Sequence, residues 1–183
     1  MNIHKAARLW PVIGVAAMLL LGWAVGRRST AVDDWFQRYR HSPARWLLFF
    51  TDPRVLAVVL VVGAAVAVSR RRWQLATAVV LAPAVAIVLA RLFKQLFERQ
   101  KGSGAFAYPS GHTTFMVTVL GMAVLVAGGA LWAVLVAFAW CLLSMVGQAV
   151  SYHYFTDTVG ALLLSTGVVC VAALTSAHAP HRT

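Results

Sequence analysis

Charge is what this sequence has least of. Only 11% of its 183 residues are Asp, Glu, Lys or Arg, against 61% hydrophobic, which excludes an ordinary soluble globule with about a quarter of its residues charged. Acid is scarcest: five Asp and Glu stand against 16 Lys and Arg, for a formal net charge of +11. That excess does not point to nucleic acid. The basic residues are scattered among the ends of apolar runs instead of gathering on one polar face with aromatics between them, so anionic lipid is the expected partner. Sustained apolar/polar alternation is missing too, which excludes a membrane barrel. So are internal repeats, low-complexity tracts and a polar second domain. Cys141 and Cys170 fall inside apolar runs, where simple packing is expected, and they say nothing about redox compartment.

Long apolar runs are what the chain does have. Several approach the roughly 20 helical residues needed to cross a hydrocarbon core. They cover residues 9–26, about 55–69, about 73–93 with Pro83 as an expected kink, and then roughly 112–128, 131–150 and 158–177. The fold class is therefore all-α, a polytopic membrane helical bundle with about six transmembrane helices, as one membrane-embedded domain over 1–183. The second run is short for a crossing, so it is expected to recruit residues 46–50 or to let Arg54 snorkel. The first run follows Lys5 and Arg8 as a signal peptide would, but Arg27 and Arg28 come directly after it without a small-residue cleavage site, and it reads as a span. Residues 27–53 form the one long connection. Its Asp33, Asp34, Trp35, Phe36 and several Arg suggest an interfacial amphipathic piece.

Arg70, Arg71 and Arg72 form the densest basic run, and the positive-inside rule sets them and the N-terminus in the cytoplasm. Counting spans then puts 27–53, 94–110 and 150–157 on the outer side, although many Arg of 27–53 run against that bias. In either orientation, the loop after the third span and the loop after the fifth share one face. Ionisable groups collect in these two: Lys94, Arg99, Lys101, Ser110 and His112 in one, His153 and Asp157 in the other.

At i and i+4, Asp157 can accept a proton from one nitrogen of His153 and leave the other as an oriented nucleophile or base. The same pair also fits a plain helix N-terminus beside an interfacial histidine. Ahead of the fourth span, Pro109-Ser110-Gly111-His112 makes a turn whose hydroxyl and backbone N–H groups can face an anion at a helix N-terminus. It also fits an ordinary cap, and Lys94, Arg99 and Lys101 taken singly also fit lipid-headgroup anchors. Together they make a phosphate site the economical reading. A phosphoryl group needs donors around its equatorial oxygens, an in-line nucleophile and an acid for the leaving oxygen.

Lys94, Arg99-Gln100-Lys101, Pro109-Ser110-Gly111-His112 and His153-x-x-x-Asp157, in that order on about six helices, resemble the phosphatidic acid phosphatase type 2 superfamily of membrane lipid phosphatases. The motifs occupy about residues 94–157. The resemblance implies metal-independent hydrolysis of a lipid phosphate or pyrophosphate, polyprenyl or phosphatidic-acid-like. His153 would carry a phosphohistidine, Asp157 would orient it, and His112 would protonate the leaving group. Lys94, Ser110 and Gly111 would bind the phosphoryl oxygens, with no metal or other cofactor. Two departures stand out. The family's Arg-Pro, seven residues after its lysine, is Lys101-Gly102 here, and its Ser-Arg before the nucleophilic histidine is Val146-Gly147. Arg99 and Lys101 are expected to supply the missing phosphate contact, ahead of Gln148. The richness in Ala, Val and Arg with few Lys fits a high-GC bacterium, and the span count above then expects the site on the outer side of its cytoplasmic membrane. A non-catalytic lipid-phosphate binding or transport protein is the main alternative. A rhomboid-like serine protease fits less well, because Tyr108 and Pro109 precede Ser110 and such an enzyme has no use for the basic cluster.

Overall fold

The computed structural model describes residues 3–101 and 104–177. Among them run seven α-helices: α1 (Ile3–Val25), α2 (Ala31–Gln37), α3 (Pro53–Ser69), α4 (Trp73–Phe97), α5 (Gly111–Val126), α6 (Leu131–Ala149) and α7 (Phe155–Ala177). A 3₁₀ segment, Pro43–Thr51, runs straight into α3, so that Pro43–Ser69 forms one apolar stretch of 27 residues. The short second run thus recruits the aromatic segment before it. Pro83 lies inside α4, which continues through it.

Five helical stretches are long and apolar enough to cross a membrane, and the chain is an integral membrane protein. The apolar α5 is shorter, with 16 residues and about 24 Å of rise. It is apolar on every side because it is central: it packs against α3, α4, α6 and α7. Met116, Val117, Val119, Leu120 and Met122 of α5 are all buried. The surrounding helices turn Val12, Leu20, Val58, Leu81, Val85 and Phe138 outward, an apolar exterior suited to a bilayer. Exposed Trp23, Trp35 and Trp46 ring one end, and Trp73 and Trp132 the other, as tryptophan does at the two membrane interfaces.

Close helix contact needs small residues. A Cβ on Gly14 would come 2.8 Å from the Leu163 carbonyl oxygen, so α1 can approach α7 this closely there only without a side chain, and Trp10 Nε1 ties the pair by donating to Thr166 Oγ1 at 2.9 Å. Met18, Ala90, Tyr108 and Leu164 pack together beneath the end of the bundle where the loops gather. At that end, the Ser110 N–H donates to the Asp157 carbonyl at 3.0 Å, joining the two loops that parity puts on one face. α2, from the long connection, packs on α6 and α7 at the same end.

Candidate active site

α5 begins at Gly111, with Ser110 as its N-cap: the hydroxyl accepts from the Thr113 N–H at 3.4 Å. The N–H groups of Gly111 and His112 have no partner among the described residues, as expected for the first turn of a helix. α7 begins at Phe155, and its first turn carries Asp157, one turn beyond His153. α6 carries the chain back between them, so α5 and α7 run in the same direction and their starts lie together. The ring centroids of His112 and His153 lie 6.2 Å apart, with Tyr152 5.5 Å from the first and 5.3 Å from the second.

Both histidines line one cavity of about 400 Å³, together with Arg91, Lys94, Lys101 and Gly111. Its lining contains three cations and no carboxylate, so its field favours an anion. Thr51, Pro53, Ile87, Ala90 and Phe115 complete the wall, and the last four make part of it apolar. Lys94 Nζ donates to the carbonyls of Phe106 and Ala107 at 2.7 and 3.1 Å, which fixes the loop and leaves its third proton for the cavity. Lys101 Nζ lies 5.4 Å from the Tyr152 ring centroid. Burial pushes its ammonium below the ordinary lysine value, while Asp157 acts in the opposite sense. Space in front of Gly111 is open: a Cβ there would meet only Lys94 Cε, at 4.0 Å.

His153 is 2% exposed, and its Nδ1 lies 3.4 Å from Asp157 Oδ2. Burial pushes the imidazole down to about 4, opposed by the Asp157 hydrogen bond, so the ring is neutral at physiological pH with its other nitrogen free to act. Among the described residues, no group of three or more His, Cys, Asp and Glu is arranged to hold a metal ion.

The structure thus brings Lys94, Lys101, Gly111, His112, His153 and Asp157 to one place and sets two other expected site residues apart. Arg99 is fully buried, and its guanidinium is taken by Asp157 Oδ1 and Asp33 Oδ2, each at 2.8 Å. It stands behind Asp157, away from the cavity. Ser110 is also fully buried; its hydroxyl donates to Gln148 Oε1 at 2.9 Å, and its hydrogen-bond partners among the described residues are Gln148 and Thr113, not a histidine. That removes the nucleophile a serine-protease reading requires. Gln148 is spent likewise: its amide bonds Thr113 and Ser144 and its oxygen accepts from Ser110. Gly102, the counterpart of the family's proline, lies outside the described residues.

The missing guanidinium has a steric reason. A Cβ on Gly147 would come 2.7 Å from the Leu47 carbonyl carbon, because the 3₁₀ segment runs against α6 there. Sequence reasoning missed Arg91 and Asp33. Arg91 sits one turn before Lys94 on the same helical face, and an arginine inside an apolar run is a signal in its own right. Asp33 stood in the sequence only as part of an amphipathic connection; in the structure it forms a capping box with Thr30.

No protein-family model matches the chain, and no curated protein sequence matches it. Its fold is similar to the crystal structure of the first transmembrane PAP2 type phosphatidylglycerolphosphate phosphatase from Bacillus subtilis. The TM-score is 0.73 at 16% identity, over 96% of this chain and 100% of that one. At that identity the likeness establishes the fold.

Proposed function

We propose that this protein is a metal-independent phosphatase of the bilayer, hydrolysing a lipid phosphate or pyrophosphate through a phosphohistidine on His153. The observation that carries the reading is the pair His112 and His153, ring centroids 6.2 Å apart, in a cation-lined cavity with an apolar part to its wall.

Asp157 holds the Nδ1 proton of His153, and the lone pair of Nε2 attacks phosphorus. As the N–P bond forms, the bond to the leaving oxygen breaks, and His112 donates its proton to that oxygen. Arg91, Lys94 and Lys101, with the free N–H groups of Gly111 and His112, offset the charge on the phosphoryl oxygens. His112, now neutral, takes a proton from water, whose oxygen attacks phosphorus. The N–P bond breaks, inorganic phosphate leaves and both histidines return to their starting states. Polyprenyl and phosphatidic-acid-like lipids both fit a cavity with a polar floor and an apolar side. The loops bearing the site face the outer side of a bacterial cytoplasmic membrane in this reading.

The test uses purified full-length protein in detergent with chelator, presented with a panel of glycerolipid phosphates, polyprenyl phosphates and polyprenyl pyrophosphates. Phosphate release from at least one, together with an acid-labile, base-stable phosphoprotein on rapid quenching that His153→Ala abolishes, is the expected result. Lipid-phosphate binding without release from any substrate would establish the binding-protein alternative instead.

A further inference from the structure

Three charged side chains, Asp33, Arg99 and Asp157, are buried at 0% exposure in one contiguous group, although neither Asp33 nor Arg99 reaches the cavity. Burying charge is expensive, and neutralising one guanidinium takes one carboxylate. A second carboxylate leaves a surplus negative charge in the protein interior directly behind His153. We infer that Asp33 and Arg99 are positioning residues that fix the tautomer and orientation of His153 through Asp157. The inference rests on His153 acting through Nε2, as proposed above.

The geometry divides the work of the Asp157 carboxylate. Oδ1 accepts from Arg99 Nη1 at 2.8 Å, which leaves Oδ2 for His153 Nδ1 at 3.4 Å and the Tyr154 N–H at 3.3 Å. With one oxygen clamped, the carboxylate cannot swing, so His153 meets an acceptor at Nδ1 and keeps its proton there. Arg99 is clamped in turn. Nη1 also donates to Thr156 Oγ1 at 2.7 Å, Nη2 donates to Asp33 Oδ2 and the Arg28 carbonyl at 2.8 Å each, and the guanidinium lies 4.5 Å from the Tyr154 ring centroid.

Asp33 closes the chain from α2. It accepts from the Thr156 N–H at 3.0 Å and the Thr30 N–H at 2.9 Å. Burial works to raise its carboxyl, but these N–H groups and Arg99 outweigh it and hold the group below its ordinary value, ionised. The same short helix grips the loop at two more points. Gln37 Nε2 donates to the His153 carbonyl at 3.1 Å and the Ala149 carbonyl at 2.7 Å, and Phe36 stacks on Phe155 at 4.6 Å. On its other side, His153 faces Lys94, Lys101, His112 and Tyr152. Once Nε2 carries a phosphoryl group with Nδ1 still protonated, the ring is positive, and the surplus negative charge stabilises it.

The readout that separates positioning from scaffolding is the tautomer itself. In full-length protein with ¹⁵N-labelled histidine in detergent micelles, long-range proton–nitrogen spectra at neutral pH are expected to show His153 as the Nδ1–H form. Arg99→Gln is expected to shift it toward the Nε2–H mixture and, because neither residue lines the cavity, to lower kcat by roughly 10- to 100-fold with KM nearly unchanged, as for outer-shell partners of other histidines. Arg99→Lys, a point charge without the fork, should restore only part of both. Where Arg99→Gln fails to fold, Asp33→Asn gives the same comparison at constant shape. Arg27→Gln, which breaks the exposed pair with Glu98, should change neither readout. Variants that keep the Nδ1–H tautomer and the wild-type kcat, losing only thermal stability, would overturn the inference. A wild type that shows the Nδ1–H tautomer, lost in Arg99→Gln, yet turns over no lipid phosphate would refute the phosphatase reading while upholding the positioning one.

Discussion

Gly147 on α6 lies so close to Leu47 of the 3₁₀ segment that a Cβ on the glycine would fall 2.8 Å from Leu47 Cβ and 2.9 Å from the Leu48 nitrogen. The obstructing atoms are mostly backbone and cannot swing aside. Gly147→Ala is therefore expected to destabilise the protein by about 1–3 kcal/mol, the usual range for overpacking. Gly147→Arg should lose the fold at the site end altogether and not restore a phosphate contact. Thermal unfolding of the detergent-solubilised variants checks both, and an active, stable Gly147→Arg would contradict the geometry.

Arg91 lines the cavity, and under the proposed activity it takes the phosphate contact that position 147 lacks. Arg91→Ala should reduce kcat/KM for the best lipid phosphate by about thirtyfold, or about 2 kcal/mol, typical for a hydrogen bond to a charged group. Arg91→Lys should recover part of it. An unchanged kcat/KM in Arg91→Ala would mean that Arg91 serves the lipid headgroups alone.

His112 and His153 differ in which substrate exposes them. Proton donation matters when the leaving oxygen is a poor anion, so His112→Ala should lose most activity on an alkyl phosphate and much less on an aryl phosphate. His153→Ala should lose both equally. Equal losses for the two substrates in His112→Ala would assign that residue a structural part only.

The buried His153 also makes stability depend on pH. Its folded value, about 4, lies below the ordinary 6.5, so between those values the unfolded chain binds the proton and the folded one does not. Stability is fully present above about 6.5 and falls as the pH drops toward 4, by on the order of 3 kcal/mol over the window. His153→Gln should flatten that part of the unfolding curve. A wild-type curve already flat from pH 6.5 to 4 would show that the ring takes up its proton without hindrance.

The helices were legible because the first four apolar runs are closed by charge or by Gly, and the fold follows from the runs. Parity alone was enough to put the His112 and His153 loops on one face. What the sequence does not carry is side-chain direction. Arg99 and Lys101 are two positions apart in one short loop, yet one is sealed between carboxylates and the other lines the cavity. Ser110 was legible as a cap, but its commitment to Gln148 depends on how α6 packs on α5. Asp33 lies 124 residues before Asp157, and no local pattern announces that one guanidinium will join them.

The short reach of α5 has a kinetic consequence. α5 rises only about 24 Å where a hydrocarbon core measures roughly 30 Å; under the proposed activity the short end is the site end, and its first turn, with His112, would begin below the plane of the headgroups. The neighbouring cavity wall of Pro53, Ile87 and Phe115 is apolar, so a lipid can keep its tail in the bilayer while its phosphate meets the histidines. Encounter is then a search in two dimensions. Under the proposed activity, turnover would follow the mole fraction of substrate in the membrane or micelle and not its bulk molarity, and adding inert detergent at constant total substrate would slow it by surface dilution.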